Sequence, residues 1–310
     1  MLDKELLTEK IANTAQDLTF PVEAVESLKA DMEKLARCGE AYERFCKITE
    51  SYDATVDIDY SGAIEALKEL SALTGVHEYA LNMLHFLSLC PKLRERYKER
   101  GLSDKLFVDT MRDLCFKVKE CKIVYGIWGT FVPTWYPRFF YGFDRFFFSR
   151  LQLEPVPLKY DCTINGKEYK AGAKALNVHI PRTETPLNHD EVIASYHEAA
   201  EFFKDYFKDD SVLIVCNSWL LNPQHDKMLK PGSNMLLFAH DFTTVYEGIY
   251  NDGAGLWRTF DCQFTGDIDA LPTDTTLRRA YVECLKRGEK LMYAYGVIDY
   301  AEFAKKHPKI

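Results

Sequence analysis

The pattern of hydrophobic and polar positions divides the chain into two halves. In the first half, about 125 residues, apolar side chains recur at helical spacing and Lys and Glu fill the outer faces, as in Ile64, Leu67, Leu70 and Leu73. Breaks are expected at prolines such as Pro21 and Pro91, because proline interrupts the helical hydrogen bonds. The first half is therefore predicted to be an all-helical bundle.

The second half begins with strand signals. Residues 146–155 are predicted to form one strand and residues 173–181 the next long one, with Asn165-Gly166 as a two-residue hairpin turn between them. The segment 211–216 is apolar on both faces, as expected of a central strand that is covered on both sides.

Helices are predicted among these strands. A capping box of Asn188 and Glu191 opens an amphipathic helix that continues to Phe207. Residues 233–240 and 256–264 are interpreted as two further strands, and 272–291 as a late helix.

An aromatic segment, 125–148, joins the two halves. We interpret it as a hydrophobic seam between two domains rather than a membrane-surface patch, because Arg138, Asp144 and Arg145 interrupt it. The sequence thus predicts an α+β chain with two domains, an all-α helical bundle over residues 1–125 and a mixed-sheet α/β domain over residues 126–310.

Composition excludes several classes of protein. The 310 residues are 47% hydrophobic, which allows a large core. The N-terminus lacks an apolar signal region and no window approaches the roughly 18 apolar residues of a membrane span, so a cytoplasmic protein without membrane contact is expected. A net charge of −8 argues against nucleic-acid binding. The nine cysteines are scattered singly, which suggests neither a disulfide framework nor a zinc cluster.

Five short motifs carry a resemblance to a known family. They are SRLQLEP (149–155), NVHIP (177–181), CNSWLL (216–221), GSNMLLF (232–238) and LPTDTTLRRA (271–280). In this order they resemble a bacterial family of acyltransferases in which a helical N-acyltransferase N-terminal domain precedes a GNAT-like C-terminal domain. The resemblance implies a GNAT-like mixed sheet and acyl transfer to an amine, with acyl-CoA as co-substrate. The partners it implies are therefore a small-molecule acyl donor and an amine acceptor.

Polar residues alternate along two of the predicted strands. Arg150, Gln152 and Glu154 share one face of the first strand, and Asn177 and His179 share one face of the other. If these faces converge, Glu154 or His179 could be the general base that deprotonates an ammonium group, with the other three binding substrate. The alternative is structural: an Arg150–Glu154 ion pair and a core histidine with satisfied hydrogen bonds.

The resemblance places the cofactor pyrophosphate at the start of the helix after strand 173–181. No Gly-rich phosphate signature occurs there, and the segment carries three acidic residues that repel a pyrophosphate, Glu184, Asp190 and Glu191. Arg182 is the nearby cation, and Arg278 and Arg279 could contribute from the late helix. This departure favours a second interpretation, a non-catalytic ligand- or protein-binding module on a degenerate GNAT scaffold.

Other candidates follow the central strand. Ser218 and Trp219 could contact a ligand, or could serve as a helix cap and a core anchor, and Asn234 is counted with the substrate-binding candidates. Cys216, with His179 or His240, could be a thiol nucleophile, although a cysteine at the end of an apolar strand is usually part of the core.

Two His-Asp dipeptides, His225-Asp226 and His240-Asp241, contain possible metal ligands. Neither dipeptide supplies a closed ligand set, so no metal is predicted.

Overall fold

The computed structural model describes residues 3–52, 60–208, 210–249 and 255–309. The chain divides into two compact units, Met1–Arg145 and Phe146–Ile310. None of the helices in the described residues combines the length and the apolar composition that a membrane span requires.

The described residues of the first unit form helices and the loops between them and contain no strand, as the sequence predicts. Its helices are α1 (Lys4–Asp17), α2 (Val22–Arg37), α3 (Gly39–Glu50), α4 (Tyr60–Thr74), α5 (Glu78–Glu99), α6 (Asp104–Met111) and α7 (Asp113–Tyr125). Helix α5 contacts α1, α2, α3, α4 and α6, and most of its residues from Ala80 to Cys90 are buried. The break predicted at Pro91 is wrong, because Pro91 lies inside α5. This helix is held by its neighbours rather than by an uninterrupted hydrogen-bond ladder.

Most of the aromatic segment, up to Arg145, belongs to the first unit, and its last three residues form β1 of the second unit. The two units are thus divided after Arg145, whereas the boundary predicted from the sequence is at residue 125. Its rings pack against the helices: the Tyr136 and Phe140 rings lie 4.4 and 5.5 Å from Phe86. The Tyr52 hydroxyl donates to the carbonyl of Phe140 at 2.7 Å. These aromatic residues are therefore part of the hydrophobic core of the helical unit. Composition alone does not indicate which unit they pack into.

The second unit contains a mixed six-stranded sheet. Its strands, in the order β1-β2-β5-β6-β8-β7, are β1 (Phe146–Phe148), β2 (Leu151–Pro157), β5 (Lys174–His179), β6 (Leu213–Ser218), β8 (Met292–Asp299) and β7 (Thr243–Ile249). A separate hairpin is formed by β3 (Cys162–Ile164) and β4 (Lys167–Tyr169), with Asn165-Gly166 as its turn. Within the six-stranded sheet β5 and β6 are parallel and the other pairs are antiparallel. The predicted mixed-sheet architecture is confirmed, with β6 as a central strand.

The helices of this unit are α8 (His189–Phe202), α9 (Lys204–Phe207), α10 (His225–Met228), α11 (Asn234–His240), α12 (Trp257–Phe260), α13 (Thr276–Lys286) and α14 (Tyr300–Lys306). Asn188 caps α8 as predicted, because its side chain accepts from the Asp190 N–H. The late helix is confirmed as α13.

Two predicted strands are helical. Residues 233–240 form α11 after Ser233, and residues 256–264 contain the short helix α12. Short apolar runs of this kind do not distinguish a strand from a buried helix. The strands that complete the sheet are instead β7 and β8.

Opposite faces of the sheet have different coverings. Helix α8 packs on the face of β1 and β2. The other face, near the β3–β4 hairpin, holds a hydrophobic cluster that includes Ile164, Ala175, Val215, Tyr295 and Val297. Farther along β2 and β5 this second face changes from apolar to polar, and the candidate site lies there.

Candidate functional site

Strands β5 and β6 separate in the middle of the sheet. Their parallel ladder contains three residue pairs and ends at Asn177 opposite Val215. Strand β5 nevertheless continues alongside β2 as far as His179, and β6 continues alongside β8 as far as Ser218. We call the divergence of β5 and β6 after Asn177 and Val215 the fork. Near its base, the Cys216 thiol lies 3.8 Å from the Val178 carbonyl oxygen.

A polar row lies beside the fork, formed by Gln152, Glu154, Asn177 and His179. Gln152 pairs with His179 and Glu154 pairs with Asn177 across the antiparallel ladder of β2 and β5, so all four side chains share one face. The His179 Nε2 lies 2.8 Å from Glu154 Oε1 and 2.9 Å from Asn177 Nδ2, and Asn177 Nδ2 donates to the same Glu154 oxygen at 3.4 Å. The predicted convergence of the two polar faces is therefore present.

Burial differs sharply between the two titratable members of the row. The Glu154 side chain is 6% exposed, whereas that of His179 is 34% exposed. A carboxylate oxygen only accepts hydrogen bonds and an amide nitrogen only donates them, so Nε2 faces one acceptor and one donor, and the tautomer of His179 decides which contact is a hydrogen bond. This geometry fixes the orientation of the imidazole beside a buried carboxylate, which stabilises the ring when both of its nitrogens carry protons.

One further polar residue on this face, Asn217, was not among the predicted candidates. Asn217 pairs with Tyr295 on β8, and its position two residues after Val215 places it on the face of Asn177. Its side chain is exposed. The same alternation that identified Asn177 and His179 would have found Asn217 in the sequence.

The side chain of Arg150 is hydrogen-bonded to the loop that follows β5. Its guanidinium donates to the carbonyl oxygens of Pro181 at 3.1 Å, Pro186 at 3.2 Å and Thr185 at 3.4 Å. Its backbone N–H donates to Ser195 Oγ on α8. Burial lowers the pKa of Arg150. The alternative of an Arg150–Glu154 ion pair is therefore not what the structure shows, because this side chain fixes a loop instead.

Two of the three predicted cofactor-binding arginines meet at one carboxylate. Both terminal nitrogens of Arg182 donate to Asp261, and Arg278 Nη2 donates to Asp261 Oδ2 at 2.5 Å. Arg278 also donates to Asp274 Oδ1 and to the Thr259 carbonyl oxygen, both at 2.8 Å. Asp261 was not among the predicted site residues, and it lies in the segment 256–264, which was predicted to be a strand.

Four other predicted candidates have different surroundings. The Ser218 hydroxyl accepts from the Leu220 N–H, and alternation along β6 places it on the face opposite Asn217. Trp219 packs against a second hydrophobic cluster that includes Phe260 and Tyr281. Asn234 is exposed at the start of α11, and Arg279 donates to the carbonyl oxygens of Thr273 and Asp274. Ser218 and Trp219 thus match the cap and core-anchor alternatives.

The thiol alternative lacks electrostatic support. Cys216 is fully buried, and burial raises the pKa of its thiol far above the ordinary range, so the nucleophilic thiolate is disfavoured.

The members of the two His-Asp dipeptides have other partners, and the Nε2 of buried His225 lies 2.7 Å from the Tyr281 hydroxyl. His240 Nε2 lies 2.8 Å from Asp226, and His189 Nε2 lies 3.0 Å from Asp241. Among the residues that the structure describes, no group of three or more His, Cys, Asp or Glu side chains is arranged to hold a metal ion.

Comparisons with known proteins assign both units. Residues 9–142 match the family model of the N-acyltransferase N-terminal domain, and residues 146–298 match that of the GNAT-like C-terminal domain. No curated protein sequence matches the chain.

Several solved structures share the fold. An acyltransferase in complex with decanoyl-CoA is 20% identical, with a TM-score of 0.67 over 93% of this chain and 86% of that one. An acyltransferase mutant with octanoyl-CoA is 21% identical, with a TM-score of 0.65 over 94% and 88%. A complex with decanoyl-CoA and teicoplanin is 22% identical, with a TM-score of 0.64 over 92% and 86%. At these identities the likeness is one of fold.

Proposed function

The chain belongs to the acyltransferase family that joins an N-acyltransferase N-terminal domain to a GNAT-like C-terminal domain, and we propose that it transfers an acyl group from acyl-CoA to an amine. The observation that carries this proposal is the polar row beside the fork, where a buried carboxylate holds a partly exposed imidazole. The structural neighbours with decanoyl-CoA and octanoyl-CoA support an acyl-CoA donor.

In the proposed reaction His179 is the general base. An amine is an ammonium ion at neutral pH, and it must lose a proton before its nitrogen can attack a thioester carbonyl. In the proposed tautomer Nε2 carries its proton toward Glu154, so Nδ1 takes the proton of the ammonium, and Glu154 stabilises the resulting imidazolium through the 2.8 Å contact with Nε2. The new C–N bond replaces the thioester C–S bond, and the CoA thiolate leaves and takes up the second proton that the acylated nitrogen loses. Gln152 and Asn177 orient the imidazole and the acceptor.

The experiment measures thiol release from octanoyl-CoA and decanoyl-CoA against a panel of amines. Glu154→Gln and His179→Ala are each expected to lower turnover by about a hundredfold or more, since general-base contributions are on the order of 10²–10⁴. Glu201→Gln is the matched control, because that carboxylate is 59% exposed and pairs with Lys204 on the outside of α8. Near-normal turnover of both site variants would place the reaction elsewhere.

One observation favours a second candidate function, a non-catalytic ligand- or protein-binding module. Two of the candidate cofactor-binding arginines, Arg182 and Arg278, face carboxylates. The loop after β5 carries Glu184 and leads into Asp190 and Glu191. Calorimetric titration with CoA and acyl-CoA separates the two functions. Absence of binding at millimolar CoA would favour the module, whereas binding together with amine-dependent thiol release would favour the enzyme.

A further inference from the structure

We propose that Asp261 is an internal competitor for the cofactor: when no cofactor is bound it occupies the arginines that would hold phosphate groups, and cofactor binding exchanges its carboxylate for a phosphate. The inference rests on the proposed function, because it concerns the same cofactor. It makes Asp261 a residue that sets the affinity for CoA.

The position of the ion pair ties the two sides of the fork together. Arg182 follows the end of β5 by three residues. On the other side, Trp219 follows β6 directly and packs against the cluster that contains Phe260 of α12 and Tyr281 of α13. Asp261 directly follows α12 and is its C-cap residue. The contact between Arg182 and Asp261 therefore joins the β5 side to the layer that packs on the β6 side, just beyond the open end of the fork.

Charge in this cluster is already balanced. The two guanidinium groups of Arg182 and Arg278 face the two carboxylates of Asp261 and Asp274. A pyrophosphate placed here would meet no net positive charge, although a helix N-terminus and basic side chains are what such a group normally requires. This conflict disappears if the partners exchange. When Asp261 is released, the planar guanidinium of Arg182 can donate to a phosphate instead.

The exchange is chemically feasible. A guanidinium binds carboxylate and phosphate in the same bidentate geometry, so Arg182 can change partner without a new side-chain arrangement. The pair is also accessible, because the side chain of Arg182 is 40% exposed and that of Asp261 is 22% exposed. The pyrophosphate of CoA carries two negative charges against one on Asp261, so it is the stronger partner for the two guanidinium groups.

The backbone allows a substitution that changes only the charge. Asp261 has a φ of +59°, in the left-handed region that Asp and Asn tolerate better than most residues. Asp261→Asn keeps this tolerance, the size of the side chain and one hydrogen-bond acceptor. Asp274→Asn is the matched control, because it removes the same charge from the same cluster but leaves the contact between Arg182 and Asp261 intact.

The experiment is calorimetric titration of CoA into the full-length protein and its variants. If Arg182 is open about a tenth of the time, Asp261→Asn should tighten CoA binding about tenfold, whereas Asp274→Asn should change it less than about twofold. Arg182→Gln should weaken CoA binding. In the double variant Arg182→Gln/Asp261→Asn, the gain in CoA affinity from Asp261→Asn should be absent. Circular dichroism of each variant verifies that it is folded.

Three results would overturn the inference. If the wild type binds CoA and Asp261→Asn binds it equally or more weakly, Asp261 is not a competitor for the cofactor. This result does not affect the proposed function. An equal gain in Asp274→Asn shows a general effect of net charge. If neither the wild type nor any variant binds CoA, the proposed function and this inference fail together.

Discussion

Replacing Arg150 with methionine is expected to destabilise the second unit and loosen the loop that follows β5. Hydrogen bonds from a charged donor contribute about 1.5–3 kcal/mol each. The contacts with the Pro181 and Pro186 oxygens, at 3.1 and 3.2 Å, are good bonds, whereas the third, to the Thr185 oxygen at 3.4 Å, adds little. Two good bonds give about 3–6 kcal/mol, from which the desolvation that lowers the pKa of Arg150 must be subtracted. A net loss of about 2–4 kcal/mol follows.

Urea unfolding measures this loss, and amide hydrogen exchange locates it. The N–H groups of Thr183 and Asn188, which donate to oxygens within the loop, should exchange faster in the variant. Arg279→Met is the matched control, because this arginine also donates to backbone carbonyl oxygens but is exposed, and its loss should stay within about 0.5 kcal/mol. A loss below about 1 kcal/mol for Arg150→Met, or unchanged loop exchange, would refute the assignment of Arg150 as the residue that fixes this loop.

Two further predictions concern packing and pH. A Cβ on Gly129 would lie 2.4 Å from the backbone of Tyr79, so Gly129→Ala should cost about 1–3 kcal/mol in urea unfolding, while Gly39→Ala, with no atom within 4 Å, should cost nothing. The hydrogen bond with Asp241 raises the pKa of His189 above 6.5, so its stabilising contribution is complete below about pH 6.5 and is lost as the pH rises through the folded pKa. In Asp241→Asn, NMR titration should show the pKa of His189 falling toward or below 6.5, and an unchanged pKa would contradict this cause.

Much of the second unit could be predicted because its signals are local. The Asn188 cap, the Asn165-Gly166 turn and the doubly buried run of β6 each depend on neighbouring residues. The polar row followed from alternation along β2 and β5, since a period of two fixes which side chains share a face.

What escaped prediction depends on contacts between distant residues. Asp261 meets Arg182 from 79 positions away, and no local pattern marks that meeting. The run 233–240 is equally apolar as a helix or as a strand, and only its packing in the folded unit makes it α11. The partners of Arg150 are backbone oxygens, which carry no sequence signature at all.

The parallel ladder of β5 and β6 has only three residue pairs. The sheet therefore consists of two three-stranded halves, β1-β2-β5 and β6-β8-β7, that are joined by few backbone hydrogen bonds. Beyond Asn177 and Val215 the facing sides of these strands are sheet edges that lie inside a domain rather than at its rim. Edges attract extended chains because backbone groups repeat along them at regular spacing. An extended chain binds to such an edge through backbone hydrogen bonds. Most side-chain substitutions along the fork therefore preserve this binding, whereas a substitution by proline removes a backbone N–H donor and weakens it.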